Sequence, residues 1–141
     1  MKPASYSSRH VLISLGYHAV RDLADGTFVS IEPHGEGFEK IVGADGSVAV
    51  GIDPDWTATV TLTVMQTAQT AHWCQERYMQ AQRTGQIEYF PVMIHDLTGR
   101  LMFHAEHAWI SQMPTREFGK GAPDSEVEIV IETGDATWEV V

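Results

Sequence analysis

The chain of 141 residues contains seven histidines and nineteen acids. These are the first candidates for chemistry, because imidazole and carboxylate groups build both metal sites and acid–base pairs. His104 and His107 are three apart in a segment patterned as a strand. Strand side chains alternate between faces, so the two are expected to point apart and to share no metal unless a bulge intervenes. His95-Asp96 has the composition of a dyad, but Asp96 opens the turn from Leu97 to Arg100, where an Asp side chain bonds the local backbone. Asp45, Asp53 and Asp55 lack the central glycine and closing glutamate of a calcium loop, and are expected as solvated turn acids. Gly35-Glu36-Gly37 and Gly119-Lys120-Gly121 lack the strand-to-helix setting of a phosphate loop and read as bends. The single cysteine, Cys74, leaves no intrachain disulfide and no Cys-built zinc site. It falls on the apolar stripe of a predicted helix, as a small hydrophobe rather than a nucleophile. No catalytic residue, metal or cofactor is expected.

The bulk composition excludes further classes. One domain over residues 1–141 is expected from the length, with 43% hydrophobic and 20% charged residues, a balance that supports a packed core. Acids outnumber Lys and Arg by 19 to 9, a formal charge of −10. Such a chain is not built to clamp phosphates, which needs a surplus of bases. Met1 leads into the polar stretch from Lys2 to Arg9, and no run has the roughly 18 apolar residues of a membrane span. The expectation is a chain that stays in the cytoplasm unless it leaves inside a larger particle, with no membrane partner.

The elements that must position these groups are mostly strands. From Thr57 to Met65, Thr57, Thr59, Thr61 and Thr63 alternate with Ala58, Val60, Leu62 and Val64, the period-two pattern of a sheet with one buried face. From Glu126 to Glu132, Val127, Ile129 and Ile131 alternate with glutamates, and only Val130 interrupts the polar face. Further strands are expected at His10 to Leu15, Thr27 to Glu32, Val48 to Ile52, Phe90 to Asp96, Leu101 to Ile110 and Ala136 to Val140. Asp25-Gly26, Asp45-Gly46, Thr98-Gly99 and Gly134-Asp135 supply turn chemistry between them. One helix is expected from Ala68 to Arg83, with Thr67 or Thr70 as N-cap, Gly85 as the stop, and Ala71, Cys74, Tyr78 and Ala81 on its packing face. The stretch from Glu32 to Trp56 is rich in glycine yet carries Ile41, Val42, Val48 and Val50. These side chains need cover that the rest of the chain does not supply, so residues 32–56 are expected to form an inter-subunit arm.

Val42-Gly43-Ala44-Asp45-Gly46-Ser47-Val48, the Thr-alternating strand running into Met65-Gln66-Thr67, and Phe90-Pro91-Val92-Met93-Ile94-His95-Asp96-Leu97-Thr98-Gly99 occur in an order that resembles the tail tube proteins of contractile-tailed bacteriophages. The resemblance continues through Ala108-Trp109-Ile110, Pro114, Phe118-Gly119-Lys120 and Glu132-Thr133-Gly134-Asp135-Ala136. It departs after Gly46, where Val48 to Ile52 replace a more polar continuation. It implies a β-sandwich or barrel-like subunit with one flanking helix, and hexameric rings that stack into a tube inside a sheath. It also implies sheath, baseplate and tail terminator proteins as partners, DNA that transits the lumen without specific binding, and a place in the virion tail after assembly in the host cytoplasm. After Lys120 the chain carries Asp124, Glu126, Glu128, Glu132, Asp135 and Glu139 and no Lys or Arg, which suits a passage that repels phosphate. Glu126, Glu128 and Glu132 are the expected lumen-lining residues, with Thr59, Thr61 and Thr63 as an alternative or neighbouring stripe. Competing readings are a related tube or terminator subunit, for example a tube subunit of a contractile injection system, a monomeric small-ligand-binding β-barrel with an apolar pocket, and an enzyme using His95, Asp96 or His104.

Overall fold

The structure is a computed structural model that describes residues 11–21, 23–24, 26–120 and 125–140. Among the described residues there are ten strands and one helix: β1 Val11–Leu15, β2 His18–Ala19, β3 Val29–Pro33, β4 Phe38–Val42, β5 Val48–Ile52, β6 Ala58–Met65, α1 Gln69–Thr84, β7 Phe90–Asp96, β8 Leu101–Ile110, β9 Glu126–Thr133 and β10 Ala136–Val140. The chain is therefore mainly β with one flanking helix. The main sheet runs β2-β1-β7-β8-β9-β6-β3, with β10 also paired to β8. It is an open sheet, ended by β2 and β3, and does not close into a barrel.

Alternation decides which face of this sheet is dry. Val60, Leu62 and Val64 of β6 stand beside Ile131, Ile129 and Val127 of β9, and all six are buried. The same face continues through Phe103, Ala105, Ala108 and Ile110 of β8 and Phe90, Val92 and Ile94 of β7 to Ile13 and Leu15 of β1. The helix leaves β6 and returns to β7, so it crosses the intervening β9 and β8 on this face. Ala68, Ala71 and Cys74 are the small side chains that let it approach. Phe103 lies near the middle of the core, 1% exposed and edge-on to Trp138 at 5.0 Å. Phe103→Ala is expected to cost about 3–5 kcal/mol, read as a lower urea midpoint at unchanged slope.

Several boundaries differ from the sequence expectation for local reasons. The helix is capped by Ala68 without a side-chain hydrogen bond, and neither Thr67 nor Thr70 is the cap. Ala68 is itself buried, and the Thr70 hydroxyl is engaged by the His18 ring at 2.7 Å. Gly85 does end the helix in the left-handed conformation, at φ 72°. The strand expected from Thr27 is Val29–Pro33, β2 and β4 were not foreseen, and His10, Asp25, Gly121 and Asp124 fall outside the described residues. At the Leu97 to Arg100 turn the positive φ belongs to Arg100, at 57°, not to Gly99.

Gly134-Asp135 is not a chain reversal. Thr133 pairs with Ala108 and Ala136 with Ala105, so β9 and β10 run on along one edge of β8 with a kink between them. Opposite the kink β8 carries a β-bulge, because Phe90 pairs with Ala108 while Val92 pairs with Ala105. Ala105 and Ala108 are both buried, so the extra residue resets the alternation. His104 and His107 consequently fall on the same outer face, contrary to the expectation of opposite faces.

Candidate assembly surface

Residues 34–57 leave the sheet as an arm. Among the described residues β4 and β5 pair only with each other, around a tip in which Gly43 N–H donates to the Ser47 carbonyl at 2.7 Å and Gly46 adopts φ 88°. Asp45 accepts from the Ser47 hydroxyl and N–H, which holds its carboxyl below the usual range. It is a turn acid, as expected. Cross-strand register puts Phe38 beside Ile52 and Val42 beside Val48, with Val50 between those pairs on the same face, opposite Lys40. The five apolar side chains are 58–74% exposed. Ile41 lies on the opposite face, beside Ala49 and over Gly51. The four residues expected to form one contact therefore divide: Val42, Val48 and Val50 share a face that also includes Phe38 and Ile52, and Ile41 does not. An isolated two-stranded hairpin is at best marginally stable in water, and an apolar face this open calls for a covering surface.

The expected polar stripe is a single surface. On the outer face of the main sheet Thr59 pairs with Glu132, Thr61 with Val130, Thr63 with Glu128 and Met65 with Glu126. The threonine and glutamate rows are therefore neighbours rather than alternatives. β3 extends the face with Glu32 beside Thr59 and Ser30 beside Thr61. Four carboxylates and no Lys or Arg project from this side of β3, β6 and β9. Glu126 and Glu128 are exposed, while Glu132 is half-buried and accepts from the Thr59 hydroxyl at 3.0 Å.

Several of the groups first considered for chemistry are in structural use. Asp96 accepts from Gly99 N–H at 3.0 Å, the turn role expected of it. Asp53 accepts from the N–H groups of Glu36 and Asp55. Burial pushes the Cys74 thiol up to about 12, which leaves it protonated and inert. Among the described residues, the three potential ligands that come together are Glu106, His107 and Asp135, at the bulge, a grouping hidden in the sequence because it depends on the kink. There the Asp135 carboxylate accepts from His107 N–H and from His107 Nδ1, both at 2.9 Å. Both of its oxygens are thus engaged in holding the bulge. A cleft of about 210 Å³ between α1 and β8 is lined by Arg77, Tyr78, Ile87, Phe90, Trp109 and Ile110. It falls short of the roughly 300–1,000 Å³ typical of small-molecule sites, and the Arg77 guanidinium stacks over Phe90 and Trp73.

Two histidines give the fold opposite responses to pH. Burial of His18 against Trp73 and Thr70 disfavours its charged form, so its pKa lies below the ordinary 6.5. The unfolded chain then takes up the proton first, and the His18 contribution is lost as pH falls below 6.5. His107 is raised by its hydrogen bond to Asp135 and then by that carboxylate's charge. Its small, solvent-screened contribution is present below 6.5 and fades as pH rises through the folded value. Thermal midpoints measured from about pH 5 to 8 should show a steeper acid limb in the wild type than in His18→Gln. Parallel limbs would refute the assignment.

No protein-family model and no curated protein matches the chain. Solved structures do share its fold. A chain of the anti-feeding prophage cap, the AFP tube terminating cap, aligns with TM-score 0.67 at 12% identity, covering 100% of this chain and 95% of that one. A chain of the sheath/tube terminator of the extracellular contractile injection system PVC, in the extended state, gives 0.68 at 11% identity, over 97% and 98%. A chain of the PVC sheath-tube complex in the extended state gives 0.65 at 12%, over 97% and 93%. At these identities the likeness establishes the fold.

Proposed function

We propose that this chain is a non-enzymatic structural subunit of a contractile, phage-tail-like particle, forming rings that stack as its tube around an acidic lumen. The observation that carries this is the arm, on which five apolar side chains of one face have no cover among the described residues. Fold likeness to chains from tube, terminator and cap assemblies over nearly the whole length supports it. In this reading the arm packs on a neighbouring copy. The Thr59, Thr61, Thr63 and Glu126, Glu128, Glu132 stripe faces the passage, where DNA or another cargo moves without adhering. Sheath, baseplate and terminator proteins are the remaining partners.

A second reading is favoured by the cap and terminator among the similar structures: the chain closes the tube as one terminal ring. The two differ in a single property, whether rings stack on one another. Electron microscopy of the purified protein separates them. Stacked rings and tubes support the tube subunit, isolated rings that bind only tube ends support the terminator, and a monomer at every salt and pH refutes both.

A further inference from the structure

We infer that His34 is a proton-operated latch, which in its doubly protonated form fastens the root of the arm to the main sheet. The basis is a count of protons on a chain of hydrogen bonds. His34 lies just past β3, where the arm leaves the sheet, and its N–H donates to the Thr57 carbonyl at 3.0 Å. Its ring lies between two threonines: Nδ1 is 2.8 Å from Thr57 Oγ1, and Nε2 is 2.6 Å from Thr59 Oγ1. Each hydroxyl has one proton to give. The Thr57 proton goes to Asp55 Oδ1 at 2.6 Å, and the Thr59 proton is shared between the two oxygens of Glu132 at 3.0 Å. Both hydroxyls must therefore accept from the ring, and an imidazole that donates from both nitrogens is an imidazolium.

The surroundings suit a cation. Asp55 reaches the ring through Thr57 on the linker to β6, and Glu132 reaches it through Thr59 from β9. Glu32 of β3 lies beside Thr59 in register, and Glu36 and Asp53 are joined to each other further along the root. None of the bonds that make up this network comes from a Lys or Arg. Asp55 is lowered first by its Thr57 hydrogen bonds, with a smaller part from the charge on His34. Loss of one ring proton turns one nitrogen into an acceptor. Thr57 or Thr59 must then rotate its hydroxyl toward the ring, and one carboxylate loses its donor. The relay joins β3, β6, β9 and the arm root at the point where Trp56 also accepts from Ala136 N–H at 2.8 Å, so the lost bond loosens the arm where it pivots.

Only the consequence for assembly rests on the subunit reading, because the latch belongs to the single chain. Amide exchange at a concentration where scattering shows one species, at about pH 5.5 and about pH 8 and corrected for intrinsic base catalysis, tests it. Protection of the His34, Glu36 and Asp53 amides should fall several-fold at the higher pH in the wild type. His34→Gln, which can donate only from its amide nitrogen, should give the lower protection at both pH values, and Thr59→Val should do the same by cutting the path to Glu132. Equal wild-type protection at both pH values, or an equal fall in His34→Gln, which would place the effect on His18 or His107, overturns the latch. A pH-dependent root in a chain that never assembles would support the latch and count against the subunit reading alone.

Discussion

Val50→Asp is expected to abolish ring and tube formation while leaving the unfolding midpoint of the monomer unchanged. Val50 lies mid-face on the arm, between the Phe38–Ile52 and Val42–Val48 pairs, and is 63% exposed in the single chain. Placing a carboxylate there costs the monomer little, because surface substitutions remain within about 0.5 kcal/mol. In an assembled particle the same carboxylate would have to be desolvated in the contact with only the cross-strand Lys40 to offset it, and burying even a paired charge costs several kcal/mol per arm. A penalty of about 3 kcal/mol corresponds to a rise of about 100-fold in the concentration needed to assemble. Light scattering and urea unfolding on the same preparation read both halves of the prediction. Tubes at the wild-type concentration would show that the apolar face is not buried by a neighbour. Ile41→Asp is the complementary test: as severe a defect there means both faces of the arm are covered, and a mild one means the partner sits on the Val50 face alone.

Strands with strict alternation were legible because the pattern states which side is dry. Ala58 to Val64 and Val127 to Ile131 bury the residues that alternation predicts, and β5, β7, β8 and β10 keep their expected bounds. What could not be read depends on contacts between distant segments. The β8 bulge exists because two partner strands meet β8 across Ala105 and Ala108, and nothing within Leu101 to Ile110 announces it. The helix start differs from the expectation because a threonine beside a helix is ordinarily a cap, whereas Thr70 is claimed by a histidine 52 residues away. The arm was marked by its apolar content, but its two-faced division needed the β4–β5 register, and β4 was hidden by charged Glu39 and Lys40 between Phe38 and Ile41. The His34 relay has no local signature, since it joins residues separated by 23 and 25 positions.

Glu126→Lys combined with Glu128→Lys is expected to convert assembled particles from ones that ignore DNA into ones that hold it in a nuclease-protected form. Both residues are exposed on the outer face of β9, beside Met65 and Thr63. Glu132 is left in place because Thr59 depends on it. Val127 and Ile129 on the buried face fix the orientation, because a one-residue slip would turn the core side chains outward. Each substitution moves the local charge by about two units, so the face changes from four carboxylates to two carboxylates, Glu32 and Glu132, and two ammonium groups; in a ring every subunit would add such a pair of cations at the β9 end of a surface that no longer repels phosphate overall. Each new phosphate contact then adds about −0.9 to the slope of log affinity against log salt. Two contacts per subunit around a ring give steeply salt-dependent retention where the wild type has none. Anisotropy of labelled DNA against salt reports the binding, and nuclease digestion reports where the strand lies. Retained DNA that resists digestion supports a lumen lined by β9. Retained DNA that is fully digested would instead place the glutamate stripe on the outside of the tube, where a sheath with basic residues could meet it, and would overturn the lumen assignment while leaving the arm contact untouched.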